Sequence, residues 1–178
     1  MSSDHGGELG TLQIRRARTA DVREIQRFIG VYADDKILLS KPTVQLYEDV
    51  QEFWIAERDG SSGKQVVGCG ALHVMWEDLA EVRTLAVAPG ERGTGVGHVL
   101  LGRLVDVARE LGVRRVFCLT FEVDFFTRHG FRQIDGVPID QEVFQQILQS
   151  YDEGVAEFLD LERVKPNTLG NSRMLLTL

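Results

Sequence analysis

Cysteine, long apolar runs and positive charge are all scarce in this chain. Cys69 and Cys118 are the only two cysteines among 178 residues. Each lies in an apolar, strand-like stretch, and no CxxC occurs. Buried, reduced thiols in a cytoplasmic protein are therefore the expectation. The four histidines show no HExxH or paired metal spacing, so no metal is expected. No apolar run comes near the roughly 18 residues of a membrane span. The opening MSSDHGGELG lacks the basic and apolar regions of a signal peptide. It reads as a disordered leader over residues 1–10, ahead of a single domain over 11–178. Lys and Arg total 20 against 27 Asp and Glu, a net charge of −7. A nucleic-acid partner, which demands a basic face, is thereby excluded. An anionic ligand must instead find a local cluster of N–H groups, Lys or Arg, because the bulk field repels it.

What is present is a regular alternation of strand and helix signals. LQIRRA (12–17) alternates like a strand. Thr19 is placed to cap a helix whose apolar positions Val22, Ile25, Ile29 and Tyr32 keep helical spacing. A short helix follows Pro42. FWIAER (53–58), QVVGCGALHVMW (65–76) and residues 80–88 read as three further strands, the first two joined by the turn DGSSGK. Leu100, Leu101, Leu104, Val105, Ala108 and Leu111 make one apolar helix stripe, stopped by Gly112. RRVFCLT (114–120) is an unbroken apolar run, as in parallel pairing. VDFFTRHG reads as a short helix, FRQI as strand, QEVFQQILQSY as a helix capped by Asp140, and RMLLTL as a last strand. The fold class is mixed α/β, a central sheet flanked by helices in one domain.

Between the fourth strand and the long helix stands RGTGVG. Glycines there let backbone N–H groups turn inward, and the helix N-terminus adds partial positive charge, which makes an anion cradle suited to a diphosphate. The nucleotide loops do not fit: no Lys follows as in a Walker loop, and His98 stands where the dinucleotide fingerprint has its third glycine.

AVAPGERGTGVGHVLL resembles the coenzyme-A-binding segment of the GCN5-related N-acetyltransferases, with Arg92, Gly95 and Gly97 on its [QR]-x-x-G-x-[GA] pattern. FFTRHGF resembles the family's later aromatic-x-x-x-G-F signature. The resemblance implies that Arg92, Gly93, Thr94, Gly95, Val96, Gly97 and His98 hold the pyrophosphate of acetyl-CoA. It implies further that Leu85, Ala86 and Val87 lie beside the pantetheine and present an N–H to the thioester oxygen. Such chemistry needs an oxyanion donor and a general base but no metal. Glu81 is the candidate base, because it lies on the same strand; a Glu81–Arg83 surface pair, or a cross-strand partner, is the alternative. With period 2, Glu81, Arg83, Leu85 and Val87 share a face, unless a bulge intervenes. Phe126 stands where many members carry the tyrosine that protonates the thiolate. The thiolate then leaves unprotonated into water, or the amine's own proton serves.

KILLSKPTVQLYE, VVGCGALHV, EVRTLAV, RRVFCLTFEVDFF and NSRMLL together resemble the acetyltransferase domain of N-acetylglutamate synthases. That likeness implies acetyl transfer to the α-amine of L-glutamate, or glutamine, as the first step of arginine biosynthesis. Lys41, His73 and Ser172 fall on its substrate-binding positions. Gly170 replaces an arginine there, which turns attention to Arg83 and Arg173 for the missing charge. A small-molecule substrate, no nucleic acid, no membrane and an open question of a homodimer complete the expectations. Two rivals stay open: an acetyltransferase for another small amine or a protein N-terminus, and a CoA-binding sensor without catalysis.

Overall fold

The computed structural model describes residues 10–34, 41–165 and 170–178. The expected leader falls almost wholly outside them. The chain runs β1 (Leu12–Arg16), α1 (Val22–Asp34), α2 (Thr43–Glu48), β2 (Phe53–Gly60), β3 (Gly63–Trp76) and β4 (Leu79–Val87). It continues α3 (Val96–Glu110), β5 (Arg115–Thr120), α4 (Val123–Arg128), β6 (Arg132–Gln133), α5 (Gln141–Ile147), α6 (Glu153–Phe158) and β7 (Ser172–Thr177). The strands form one mixed sheet in the order β1-β2-β3-β4-β5-β7-β6, antiparallel except for β4 against β5.

Alternation in the strands sorts the core onto two faces. Trp54 and Ala56 of β2, Ala80 and Val82 of β4 and Val116 and Cys118 of β5 point to α3, whose Val96, Leu100, Leu101, Leu104 and Ala108 are buried against them. Each such leucine contributes about 1.5–3 kcal/mol on burial. Gly68 and Gly70 of β3 make this close packing possible: a Cβ at either would meet Leu100 or Leu104 at 3.0–3.1 Å. Phe126 and Phe131, around α4, cover the same face. On the other face Phe53, Ile55, Cys69 and Ala71 pack under α1 and α2, while Leu79 and Phe117 pack under α5 and α6. Both cysteines are free and buried, and burial pushes the Cys69 thiol up to about 12.

Two expectations need correction, and one helix had no sequence signal. Thr19 is not a cap; it opens a 3-10 turn, and the Asp21 carboxylate takes the Arg18 N–H at 2.7 Å. Asp21 is fixed for that task by a two-pronged bond from Arg15 at 2.8 and 2.9 Å. Leu111 lies beyond the end of α3 and is 58% exposed, so the stripe closes at Ala108. Helix α6 was not anticipated: EGVAEF is too short and polar to show a period, and Asp152 caps it by accepting from Val155 N–H at 2.9 Å. Asp140 does cap α5 as expected, accepting from Val143 N–H at 2.9 Å.

Candidate active site

Strand β4 carries the irregularity that makes the site. Its register against β3 shifts between Cys69↔Ala86 and Ala71↔Arg83, so two residues of β4 oppose Gly70 alone, and Thr84 takes φ +52°. A β-branched residue in the left-handed region is a costly conformation that the surrounding sheet must enforce. This bulge inverts the alternation. Glu81 and Arg83 point to the face of α1, α2, α5 and α6, whereas Leu85 and Val87 pack on the α3 face. The four residues therefore do not share a face, which corrects the plain period-2 reading.

Pairing between β4 and β5 ends at Glu81↔Phe117. Beyond that rung the strands splay, and a cleft of about 520 Å³ opens between them, in the size range of small-molecule sites. Thr84, Leu85 and Val87 form one wall, Leu119 to Glu122 with Phe125 and Phe126 another, and Arg92, Gly93, Gly95, Gly97 and His98 the end. Of the remaining expected cofactor residues, Ala86 and Val96 are turned into the core and offer backbone only. The Thr94 hydroxyl closes on Glu91, donating to its carbonyl at 2.7 Å.

The glycine loop fits a diphosphate on its own geometry. Gly93 and Gly95 adopt φ +78° and +92°, and a Cβ at either would meet no protein atom within 4 Å. Their backbone is thus bare toward open space at the start of a 15-residue helix. Two brackets hold the loop. The Tyr32 hydroxyl on α1 donates to the Val87 carbonyl at 2.5 Å and accepts from Arg92 Nε at 3.3 Å, with the guanidinium over its ring. Arg58 reaches Glu91 at 3.2 Å. Neither Tyr32 nor Glu91 had a sequence signal beyond its place on a helix or beside the loop.

On the opposite face, at the last paired rung, Glu81 is 4% exposed and accepts from Arg83 Nε at 2.7 Å. The pair expected as the bland alternative exists, but it is buried. Arg83 Nη2 lies 2.7 Å from Asp152 of the α6 cap. Nη1 is buried without a hydrogen-bond partner among the described residues. Burial works against the Arg83 charge, but Glu81 and Asp152 outweigh it and raise its pKa. Burial also works against ionised Asp152; the Arg83 charge and the Val155 N–H overcome it and hold the carboxyl below its ordinary range. Gly154 admits this contact, since a Cβ there would stand 2.6 Å from the guanidinium.

The other candidate cations also carry acidic partners. Lys41 lies 3.6 Å from Asp49, and His73 Nδ1 lies 2.7 Å from Glu52. Burial, then the Glu52 charge, raises the Asp49 carboxyl. Ser172 opens β7 opposite Thr120, beside the cleft. Arg173 is engaged elsewhere: it donates to the carbonyls of Gly136, Glu157 and Phe158 and stacks over Phe117. Its guanidinium ties α6 to the sheet, which removes the reason for expecting it to supply the charge missing at Gly170.

Glu157 on α6 was missed entirely. Burial, then the negative charge of Glu81, pushes its carboxyl from 4.5 up to about 8. The folded protein keeps a proton that the unfolded chain releases, so this group's contribution falls as pH rises from about 4.5 through about 8. Thermal melts should show Glu157→Gln more stable than wild type at pH 8, with the difference vanishing toward pH 5. An equal melting temperature at both pH values would remove the buried, protonated carboxyl from the description.

Residues 19–131 match the family model of the acetyltransferase (GNAT) family. The chain belongs to that family. Like its members, it is an acetyltransferase that uses acetyl-CoA as cosubstrate. It is 60% identical to the amino-acid acetyltransferase of Mycobacterium tuberculosis, over 93% of this chain and 94% of that one. An N-acetyltransferase of Chlorobaculum tepidum is 34% identical over 74% of this chain and 83% of its own length. A crystal structure from Mycobacterium tuberculosis, in complex with CoA and NLQ, superposes with a TM-score of 0.90. It is 59% identical, covering 93% of this chain and 99% of the other. The N-acetylglutamate synthase of Neisseria gonorrhoeae, complexed with coenzyme A and N-acetyl-glutamate, shares the GNAT fold at a TM-score of 0.73. It is 24% identical, and the match spans 95% of this chain and 35% of the synthase. Among the described residues no helix is long and apolar enough to cross a membrane, and no three His, Cys, Asp or Glu side chains are grouped to hold a metal.

Proposed function

We propose that this GNAT protein transfers the acetyl group of acetyl-CoA to the α-amine of a free amino acid, L-glutamate or L-glutamine, as the first step of arginine biosynthesis. The observation that carries the reading is the Glu81–Arg83–Asp152 cluster at the last rung before the cleft, in a chain 60% identical to an amino-acid acetyltransferase. Acetyl-CoA lies on the α3 face, its diphosphate on residues 92–98 and its pantetheine along Leu85 and Val87. The acceptor enters from the face of α1, α2 and α6, and the two meet in the gap between β4 and β5.

An α-amine is an ammonium ion at neutral pH and must lose a proton before it attacks. Glu81 takes that proton. The nitrogen then forms the C–N bond, the carbonyl oxygen gains charge toward a β4 N–H freed by the bulge, and the C–S bond breaks. CoA leaves as the thiolate. Phe126 lines the cleft with no proton to give, so the thiolate is released into water or protonated by the amine's second proton.

Arg83 Nη1, buried and without an acceptor among the described residues, suits an acceptor carboxylate. Lys41 and His73, each already facing a carboxylate, suit the far end of the amino acid. Asp49, Glu52, Glu81 and Asp152 outnumber Lys41 and Arg83 even with His73 charged. That balance favours glutamine over glutamate, since a second acceptor carboxylate adds to the excess. Charge-assisted bonds contribute about 1.5–3 kcal/mol each. Lys41→Ala should therefore raise the KM for the amino acid roughly tenfold, with little change in that for acetyl-CoA. If Lys41 holds the side-chain carboxylate, glutamine suffers less than glutamate; if it holds the α-carboxylate, both suffer alike. A screen of free amino acids, spermidine and a peptide N-terminus tests the whole. Acetylation of either of the last two and of no amino acid would leave the acetyltransferase and remove the amino-acid assignment.

A further inference from the structure

At the mouth of the cleft, His98 from the first turn of α3 and His129 from the end of α4 meet. Nδ1 of His98 is 2.7 Å from Nε2 of His129, the rings stack at 5.0 Å, and Phe125 lies 4.9 Å from His98. His98 lines the cleft beside the glycine loop. Only Glu91, Arg92 and Glu122 carry formal charge in that lining, a sum of −1, yet the ligand is a polyanion. The bulk charge of −7 adds to the mismatch.

We propose that the His98–His129 pair is a proton-binding element of the acetyl-CoA site: seating the diphosphate on the glycine loop draws one proton onto the pair. This rests on the acetyl-CoA reading of the cleft and goes beyond it by assigning His129 and a proton. The contact itself fixes the capacity. A bond between two facing imidazole nitrogens needs one N–H and one lone pair. Two neutral rings satisfy it. One added proton, taken on the outward nitrogen of the donor ring, keeps the bond and strengthens it with charge. A second would place hydrogens on both facing nitrogens and set like charges together, breaking it. The pair therefore takes up one proton and no more.

Surrounding charges leave this device to the ligand. The charged groups nearest along the chain are Asp124 and Arg128 of α4, with Glu122 before it and Glu91 and Arg92 of the loop in the cleft lining. Among the described residues no carboxylate forms an ion pair with either ring, and Glu91 is engaged by Arg58. Burial, then the nearness of His98, lowers the His129 pKa. A phosphate anion beside His98 reverses that balance.

The probe is 3′-dephospho-CoA, whose diphosphate is fully ionised near neutral pH; the 3′-phosphate monoester of CoA itself titrates near pH 6 and is thereby removed. Calorimetric titration at pH 7 in two buffers of different ionisation enthalpy counts the protons taken up. Wild type should take up a fraction of one proton. Its Kd should tighten as pH falls from 8 to 6, by no more than about tenfold per unit because one proton is exchanged. The double variant His98→Gln/His129→Gln, altered only at the cleft mouth, should take up none and bind with a Kd flat in pH. Zero uptake by wild type, or undiminished uptake by the double variant, overturns the proposal. If wild type binds neither dephospho-CoA nor CoA, the acetyl-CoA reading fails, and the proposal with it.

Discussion

Gly95→Val should abolish CoA binding in a protein that remains folded. The position separates the two effects cleanly. Valine at φ +92° incurs left-handed strain of about 1–2 kcal/mol or somewhat more, against a total stability of about 5–15 kcal/mol. A Cβ there meets no atom within 4 Å outside its chain neighbours, so little packing is displaced. What the branched side chain does occupy is the space over the bare backbone that the diphosphate needs, at the N-terminus of α3. Calorimetry should detect no binding, while circular dichroism and melting stay near those of wild type. Undiminished affinity in a folded variant would refute the cradle.

Glu81→Gln should lower the rate at neutral pH by about 10²-fold or more, with acetyl-CoA affinity unchanged. Glutamine keeps the shape and still accepts from Arg83 Nε, so the buried contact at 2.7 Å survives as a neutral–ionic bond. What goes is proton acceptance from the acceptor ammonium. The deficit should shrink as pH rises and free amine becomes abundant, because solvent then does what the carboxylate did. Loss of the Glu81 charge also lowers the Glu157 carboxyl toward its ordinary range, which melting against pH reads independently of turnover. A rate equal to wild type at pH 7 would reassign Glu81 to holding Arg83.

The seven strands follow from periods and turn residues within a dozen positions of each other, and these were legible. The bare backbone of the glycine loop was legible too, because three glycines at alternate positions before an amphipathic helix report backbone exposure directly. The inversion at Thr84 was not. Nothing in AEVRTLAV distinguishes a bulged strand from a straight one, and the threonine at φ +52° goes with the register shift against β3, not with its own preference. The acidic partners were hidden by distance: His73 meets Glu52 across 21 positions, and Arg83 meets Asp152 across 69. Cations chosen as carboxylate ligands from one sequence look free until the fold brings their counter-ions. His129 was invisible for the same reason, since only the docking of α4 on α3 turns two ordinary surface histidines into a hydrogen-bonded pair.

The short seam between β4 and β5 governs how the molecule can come apart. Among the described residues, the strand pairs that join the block β1–β4 to the block β5-β7-β6 are Leu79↔Arg115, Ala80↔Val116 and Glu81↔Phe117, and the Arg114 and Arg115 N–H groups donate to the Asp78 carbonyl just before them. Each block keeps its own antiparallel ladders, and on the α3 face the two share one core. Rupture of those rungs releases no strand from its own ladder. Helix α3, buried on the first block and leading directly into β5, is the strap across them. Hydrogen exchange should therefore show amides near Glu81 opening separately from those deep in β2 or β7, although all belong to one continuous sheet.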